Sequence, residues 1–297
     1  MSRNTSMKPG SVQETLVIPL YARKLCAQQF PTLYTDEYAA AICERIDYDF
    51  SQWKQKETRL MYQFGGLEGA IREKDMIWEI RDYLKMHPNA AVVSLGCGLS
   101  TTGRSADNGL CKRYQLDFPD VIQLRNELIP VEEREENIGC DLNDVSWMDR
   151  IDSRGGAVFY AAGVFHYFKT EQVKRMVAAM AEAFPGGRLV FDTVGRLGRD
   201  LLMRRKLNQL GMKDVSGMFC AEGARDLEGW SRHVTLAARK SYMRGYVPLD
   251  DPNIRWVHQF LAVLCDVVAK MYINRMEFSP GPKPDATVLV KQNKADD

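Results

Sequence analysis

Two glycines and a downstream acid form the first pattern in this chain with a chemical meaning. Gly96, Cys97 and Gly98 directly follow an apolar, β-branched run that predicts a buried strand. A second predicted strand, 112–116, leads into Asp117. In doubly wound sheets, small residues after the first strand let a ligand approach the backbone, and an acid after the second strand meets a ribose. The pattern therefore predicts a nucleoside site.

The same segment differs from the fingerprint of dinucleotide-binding proteins. That fingerprint has a third glycine where this chain has Thr101, and a regular helix before the acid. Here 99–110 is short and polar and contains a turn signal at 107–109. These features favour a nucleoside ligand without a pyrophosphate. Two alternatives stay open: the glycines form only a tight turn, and Asp117 caps the helix that follows it.

Two further predicted strands also end in residues with useful chemistry. Asp141, followed by Leu142, comes after the strand at 137–140, and the strand at 156–162 enters an aromatic turn that contains His166. Because the carboxyl ends of parallel strands border one crevice, we expect these residues near the same ligand. The alternative for Asp141 is to cap the turn after it, and the alternative for His166 is a structural role.

The remaining elements predict an α/β, Rossmann-like fold of the doubly wound type. A helix at 67–86 has apolar residues at helical spacing and precedes the first strand. Five apolar strands then alternate with helices, which indicates a parallel sheet. A sixth strand and a final strand complete a mostly parallel seven-stranded sheet with helices on both faces. Both 273–278 and 286–291 qualify as the final strand.

The length of 297 residues is compatible with one elaborated domain. Residues 1–13 are polar and are predicted to be a disordered tail. The single domain at 14–297 divides into an N-terminal helical cap (14–89), a ligand-binding core (90–195), a lid insertion (196–232) and the C-terminal end of the sheet (233–297).

Composition restricts the partners of the protein. Lys and Arg total 40 and Asp and Glu total 39, so no strong field attracts nucleic acid or an anionic membrane. The seven cysteines have no metal-ligand spacing, which predicts reduced thiols and no metal. With no signal-like apolar segment at the start, we expect a soluble, cytoplasmic protein that acts on a small molecule. The oligomeric state stays open.

Seven stretches in order carry a family resemblance. They are ETLVIPLYARK (14–24), IDYDF (46–50), SLGCGL (94–99), DNG (107–109), YQLDFPDVIQLR (114–125), SWMD (146–149) and FPGGRLVFD (184–192). Through them the chain resembles the leucine carboxyl methyltransferase family. The closer likeness is to its bacterial branch of polyketide-type, tetracenomycin-like O-methyltransferases. The resemblance implies a class I methyltransferase fold and S-adenosylmethionine as cofactor.

The resemblance also implies roles for individual residues. The implied cofactor-binding residues are Arg23 or Lys24, Arg72, Gly96, Cys97, Gly98, Asp117, Asp141, Leu142, Ala162 and Gly163. Asp117 would bind the ribose hydroxyls, and Asp141 would accept the adenine amino group. Arg72 would pair with the cofactor carboxylate, for which a bidentate guanidinium is well suited, unless it is only a solvated helix charge.

One position departs from the family, because Ala162 stands where the relatives usually have glutamate. His166 and Tyr167 are the catalytic candidates, since an imidazole with a reference pKa of about 6.5 suits a base at neutral pH. The predicted function is O-methylation of a polyketide-like small molecule at a carboxylate or hydroxyl. The alternatives are carboxyl methylation of a protein C-terminus, and cofactor binding without turnover.

Overall fold

The computed structural model describes residues 5–6, 12–200 and 217–279. The strands are β1 (Thr5–Ser6), β2 (Ile46–Asp47), β3 (Ala91–Leu95), β4 (Lys112–Asp117), β5 (Glu135–Gly139), β6 (Ala157–Ala161), β7 (Arg188–Thr193), β8 (Val234–Ser241) and β9 (Tyr272–Phe278). The α-helices are α1 (Val12–Gln29), α2 (Glu37–Arg45), α3 (Ser51–Lys54), α4 (Leu60–Met86), α5 (Thr102–Ser105), α6 (Pro119–Leu128), α7 (Thr170–Ala183), α8 (Arg196–Gly198) and α9 (Trp256–Val267). Short 3-10 helices cover Val145–Arg150, Phe165–Tyr167 and Ala224–Leu227.

Seven strands form the central sheet in the order β5-β4-β3-β6-β7-β9-β8. The strands from β5 to β7 pair in parallel, and β9 runs antiparallel to both β7 and β8. This confirms the predicted seven-stranded, mostly parallel sheet. Strand order reverses beside β3, between β4 and β6, and such a switch point opens a crevice at the carboxyl ends of the strands.

The central strands are buried on both faces, which explains their continuous apolar sequence. Every residue of β3 and β6 is buried. One face packs against α7 through Val173, Val177 and Met180. The other face packs against α4, which begins at Leu60, seven residues before the predicted start.

The structure departs from the sequence-based predictions at three segments. Within the predicted disordered tail, Thr5–Ser6 pairs with β2 and α1 already begins at Val12. Residues 201–216 of the predicted lid lie outside the described residues, whereas Phe219 and Leu227 from its second part are buried in the core. The helix predicted to reach Tyr272 ends at Val267, because Lys270 adopts a left-handed backbone (φ 50°) that turns the chain into β9. Of the two candidates for the last strand, 286–291 lies outside the described residues.

Two kinds of feature are absent from the described residues. Within 12–200 and 217–279, no helix is long and apolar enough to cross a membrane. In the same part of the chain, no group of three or more His, Cys, Asp or Glu side chains could hold a metal ion.

A buried carboxylate ties α4 to the chain that follows β8. Asp75 is fully buried and accepts the backbone amides of Tyr246 and Val247. A Cβ atom at Gly245 would lie 2.2 Å from Asp75 Oδ2, so only glycine allows this approach. Burial raises the pKa of Asp75 to about 7, and the negative charges of Glu79 and Asp266 also raise it. The hydrogen bonds from the two backbone amides lower it.

The raised pKa of Asp75 makes the stability of the protein depend on pH. Because its pKa is higher in the folded than in the unfolded chain, folding binds a proton between about pH 4 and 7. Relative to Asp75→Asn, the free energy of unfolding of the wild type should therefore fall by up to about 1.4 kcal/mol per pH unit over this window and level off above it. Urea titrations from pH 5 to 8 measure the difference. A difference independent of pH would contradict the assignment.

Candidate active site

The loop after β3 has a backbone that only glycine allows at two positions. Gly96 and Gly98 have φ values of 66° and 49°. A Cβ atom at Gly96 would also lie 2.8 Å from Cγ2 of Val164, in the turn after β6. The Cys97 amide donates to the Leu116 carbonyl at 2.9 Å, which connects the loop to β4. The glycines predicted from the sequence thus bring the ends of three strands close together.

Two buried arginines bind three consecutive carbonyl groups of this loop. Arg125, from α6, donates to the carbonyls of Gly98 (3.1 Å) and Ser100 (2.7 Å). Arg23, from α1, donates to the Leu99 carbonyl at 2.8 Å. Arg125 also pairs with Glu135, so its charge is compensated in the interior. Side chains from two helices, α1 and α6, therefore hold the loop through its carbonyl groups.

Arg23 contacts the glycine loop directly. Its guanidinium pairs with Asp36 at 3.2 Å and donates to the Leu99 carbonyl at 2.8 Å. The neighbouring candidate, Lys24, places its ammonium over the Tyr21 ring. The structure therefore gives Arg23 a supporting position behind the loop.

Asp117 joins the loop to the end of β4. Its Oδ2 accepts the Gly98 amide at 2.7 Å, and its Oδ1 accepts the Phe118 amide at 2.8 Å. Burial raises the pKa of Asp117 above its ordinary value, although both amide bonds act against this rise. Each carboxylate oxygen keeps a further lone pair that can accept a hydrogen bond from a ligand hydroxyl.

Cys97 contributes packing rather than reactivity. The residue is buried, and burial raises the pKa of its thiol to about 12. The thiolate is the reactive form of cysteine, so this side chain is inert at neutral pH.

Asp141 lies at the next strand end, after β5. Its Oδ1 accepts both the backbone amide and the side-chain amide of Asn143, at 2.9 Å each, and the residue is exposed. Leu142 is buried beside it. The 3-10 helix that follows is capped by Asp144, not by Asp141, because Asp144 accepts the Ser146 amide. The Asp141 side chain does cap the turn directly after it, as the alternative proposed, so its contact with adenine stays a prediction.

A second carboxylate, Asp192 near the end of β7, organises the turn after β6. Its Oδ1 accepts the Gly163 amide at 2.7 Å. Its Oδ2 lies 3.1 Å from Nε2 of His166 and 3.4 Å from Nη1 of Arg72. A Cβ atom at Gly163, where φ is 71°, would lie 2.7 Å from the same Nη1 atom. The candidates Arg72, Gly163 and His166 therefore meet at one buried carboxylate.

Asp192 was not among the residues singled out from the sequence. It lies within the strand predicted at 188–194, where it was treated as part of the strand rather than as its end. The rule that identified Asp117 and Asp141, an acid near the carboxyl end of a parallel strand, would have found it. Burial alone would raise its pKa, but His166, Arg72 and the Gly163 amide lower that pKa well below its ordinary range. Asp192 is therefore ionised at neutral pH.

The turn that Asp192 binds contains the catalytic candidates His166 and Tyr167 and the departing position Ala162. His166 is 5% exposed, and its Nδ1 atom has no hydrogen-bond partner among the described residues. Tyr167, the other catalytic candidate, is half-buried, and burial raises its pKa. Ala162 is partly buried before Gly163, so the turn holds no acid of its own at that position. Asp192 is the acid that binds this turn from the neighbouring strand.

Comparison with known proteins finds methyltransferases among the relatives of this chain. The tetracenomycin polyketide synthesis O-methyltransferase TcmP of Streptomyces glaucescens is 29% identical over 186 residues, which is 62% of this chain and 66%, just under two thirds, of that protein. The S-adenosyl-L-methionine-dependent methyltransferase dpfgK of Gibberella zeae is 23% identical over 273 residues, covering 86% of this chain and 89% of that protein. The chain is thus similar to methyltransferases, and with dpfgK, an S-adenosyl-L-methionine-dependent enzyme, this similarity extends over most of its length. No protein-family model matches it.

Two solved structures share the fold of this chain. A duf574 family protein from Streptomyces avermitilis superimposes with a TM-score of 0.53 at 13% identity, covering 88% of this chain and 97% of that one. A proposed methyltransferase from Thermobifida fusca gives a TM-score of 0.52 at 17% identity, covering 88% and 94%.

The site fits S-adenosylmethionine, the cofactor of this class. Gly96 and Gly163 let the backbone pack directly against Val164 and Arg72, because a Cβ atom would lie 2.8 Å and 2.7 Å from those side chains. Asp117 supplies acceptors for hydroxyl groups, and Arg72, partly exposed, supplies donors for a carboxylate. A nucleoside joined to an amino acid needs both kinds of group.

Because Arg125 holds the loop, we expect its replacement to lower the stability of the protein. Arg125→Lys keeps the charge but cannot bridge Gly98, Ser100 and Glu135 together, so the free energy of unfolding should fall by about 1–3 kcal/mol. Urea denaturation measures this change. Arg45→Lys is the matched control, because the exposed Arg45 also donates to two carbonyls, and its effect should stay within about 0.5 kcal/mol. Equal effects of the two variants would contradict the assignment.

Proposed function

We propose that this methyltransferase transfers the methyl group of S-adenosylmethionine to an oxygen atom of a small, polyketide-like molecule. The observation that carries the proposal is the meeting of the glycine loop, Asp117 and the Arg72–Asp192 pair at the carboxyl ends of β3, β4 and β7. Oxygen as the acceptor atom is supported by the likeness to TcmP, whose name describes an O-methyltransferase of polyketide synthesis.

The proposed orientation of the cofactor follows from the donors and acceptors of the site. Asp117 accepts hydrogen bonds from the ribose hydroxyls, and Asp141 with Leu142 borders the adenine one strand farther out. Arg72 binds the cofactor carboxylate, since one of its five N–H donors faces Asp192 and others remain for a ligand. The backbone of Gly96, Gly98 and Gly163 lies along the methionine part.

The protein's main contribution to the reaction is alignment. The bound cofactor supplies an activated methyl group. The loop held by Arg23 and Arg125, together with the turn held by Asp192, presents this group to the acceptor oxygen, and such positioning can supply about 7–11 kcal/mol of the barrier reduction.

The proposal also includes the family, the cellular compartment and the type of substrate. The seven motif stretches support membership of the leucine carboxyl methyltransferase family, with Ala162 as a departure. The seven cysteines form no disulfide in the structure, which supports a reducing compartment such as the cytoplasm. The near-zero net charge supports a small-molecule substrate rather than nucleic acid.

Two experiments test the proposed function. Calorimetric titration of the purified protein with S-adenosylmethionine and S-adenosylhomocysteine should show saturable binding. Incubation with cofactor labelled in the methyl group and a panel of phenols, alcohols and carboxylates should label at least one acceptor. Binding with no labelled small molecule but a labelled peptide C-terminus would favour protein carboxyl methylation. Binding with no product at all would favour a protein without turnover.

Asp117→Ala should weaken the binding of S-adenosylhomocysteine by about 1–3 kcal/mol, because hydrogen bonds to a charged group are lost. Calorimetry gives the affinity. The exposed Asp149 provides a control variant, Asp149→Ala, that removes the same charge outside the site. Thermal unfolding must show that the loop variant is folded, since Asp117 also holds the Gly98 amide. Unchanged affinity in a folded Asp117→Ala protein would refute the ribose assignment.

A further inference from the structure

We infer that Asp192 is a positioning residue that holds His166 with its proton on Nε2, so that Nδ1 is the base for a hydroxyl acceptor. This inference rests on the proposed function and specifies its substrate class: the acceptor is a phenol or an alcohol rather than a carboxylate. It assigns a role to Asp192, which the motifs of the sequence left without one.

The first step is the tautomer of His166. An ionised carboxylate only accepts hydrogen bonds, and Asp192 Oδ2 lies 3.1 Å from Nε2 of His166. Nε2 must therefore carry the hydrogen atom of this contact. In a neutral imidazole the other nitrogen, Nδ1, then keeps its lone pair and acts as an acceptor.

The second step is the environment of Nδ1. This atom is buried and has no hydrogen-bond partner among the described residues. A buried acceptor without a donor is unfavourable by about 1–3 kcal/mol, and native structures rarely keep one without a reason. A bound acceptor molecule with a hydroxyl group would supply the missing donor. A carboxylate would instead place a lone pair against another lone pair.

The third step is the set of groups that surround the pair. Arg72 from α4 shares Oδ2 of Asp192 at 3.4 Å, and the Gly163 amide occupies Oδ1, so the carboxylate is held on three sides. Tyr167 from the same turn and Tyr242 from the end of β8 are the nearby titratable groups, and burial raises the pKa of both. Glu68 acts on Arg72 and Tyr242 through its charge. The fixed carboxylate is the group that orients the imidazole.

The proposed step balances in atoms and electrons. The acceptor oxygen forms its bond to the methyl carbon as the methyl–sulfur bond breaks, and the electron pair of that bond stays on sulfur. The hydroxyl proton passes to Nδ1 of His166, and Asp192 stabilises the imidazolium before the proton leaves to solvent. A carboxylate acceptor is already ionised and needs no base, so this pair of residues would serve no purpose for it.

The tautomer can be measured without any reaction. The chain has only four histidines, so ¹⁵N labelling of histidine gives a small set of nitrogen signals, and His166→Gln assigns those of His166. At neutral pH the cofactor-free wild type should show a protonated Nε2 and an unprotonated Nδ1. Asp192→Asn should abolish this preference, because an amide can donate to Nε2 as well as accept. A protonated Nδ1 in the wild type would overturn the inference.

A kinetic test uses acceptors matched in shape but not in acidity: a phenol, its more acidic nitro derivative and the corresponding benzoate. His166→Gln and Asp192→Asn should lower kcat for the phenol about 10²-fold or more. The loss should be smaller for the nitrophenol, which ionises more readily. His233→Gln, which changes a histidine outside the site, should leave all rates unchanged.

The outcomes separate this inference from the proposed function. Methylation of the benzoate alone, with turnover unchanged in Asp192→Asn, would overturn the inference and leave O-methylation intact. Binding of cofactor without product from the whole panel would contradict the proposed function. In that case the nitrogen signals of His166 would still decide whether Asp192 orients the imidazole.

Discussion

The hydrogen bond from the Gly98 amide to Asp117 is the interaction on which the rest of the site depends. It joins the loop after β3 to the end of β4, while Arg23 and Arg125 hold the carbonyls on the loop's other side. Buried guanidiniums bound to several carbonyl groups resist deformation, since leaving any of those groups unpaired in the interior is unfavourable. A loop held in this way is preorganised for a ligand.

Asp192 holds the turn after β6 in the same way as Asp117 holds the loop after β3. Each carboxylate lies at a strand end and binds the backbone amide of a glycine in a left-handed conformation. Asp192 also brings a cation and an imidazole together, so one anion connects the proposed cofactor contact, Arg72, with the proposed base, His166. The two carboxylates thus organise the proposed cofactor site and the proposed base at the carboxyl ends of β4 and β7.

The features that could be predicted from the sequence are those that depend on a local pattern of residues. The seven-stranded sheet, the glycine loop and the acids at two strand ends follow from apolar runs interrupted by small or charged residues, and the structure confirms the sheet and the positions of these residues. Contacts between distant segments leave no such pattern. Arg125 has the spacing of an ordinary helix residue, and although Asp192 lies near the carboxyl end of a strand, only the fold brings it to Arg72 and His166. Lys270 ends a helix early because β9 pairs with β7, which no local signal indicates.

A crystal structure of the protein with S-adenosylhomocysteine would test the central claim most directly. The account predicts the ribose hydroxyls on the Asp117 carboxylate, the amino acid carboxylate on Arg72 and the sulfur atom facing the turn that contains His166. A ligand bound elsewhere, or ribose hydroxyls that contact other groups while the Asp117–Gly98 bond persists, would contradict it.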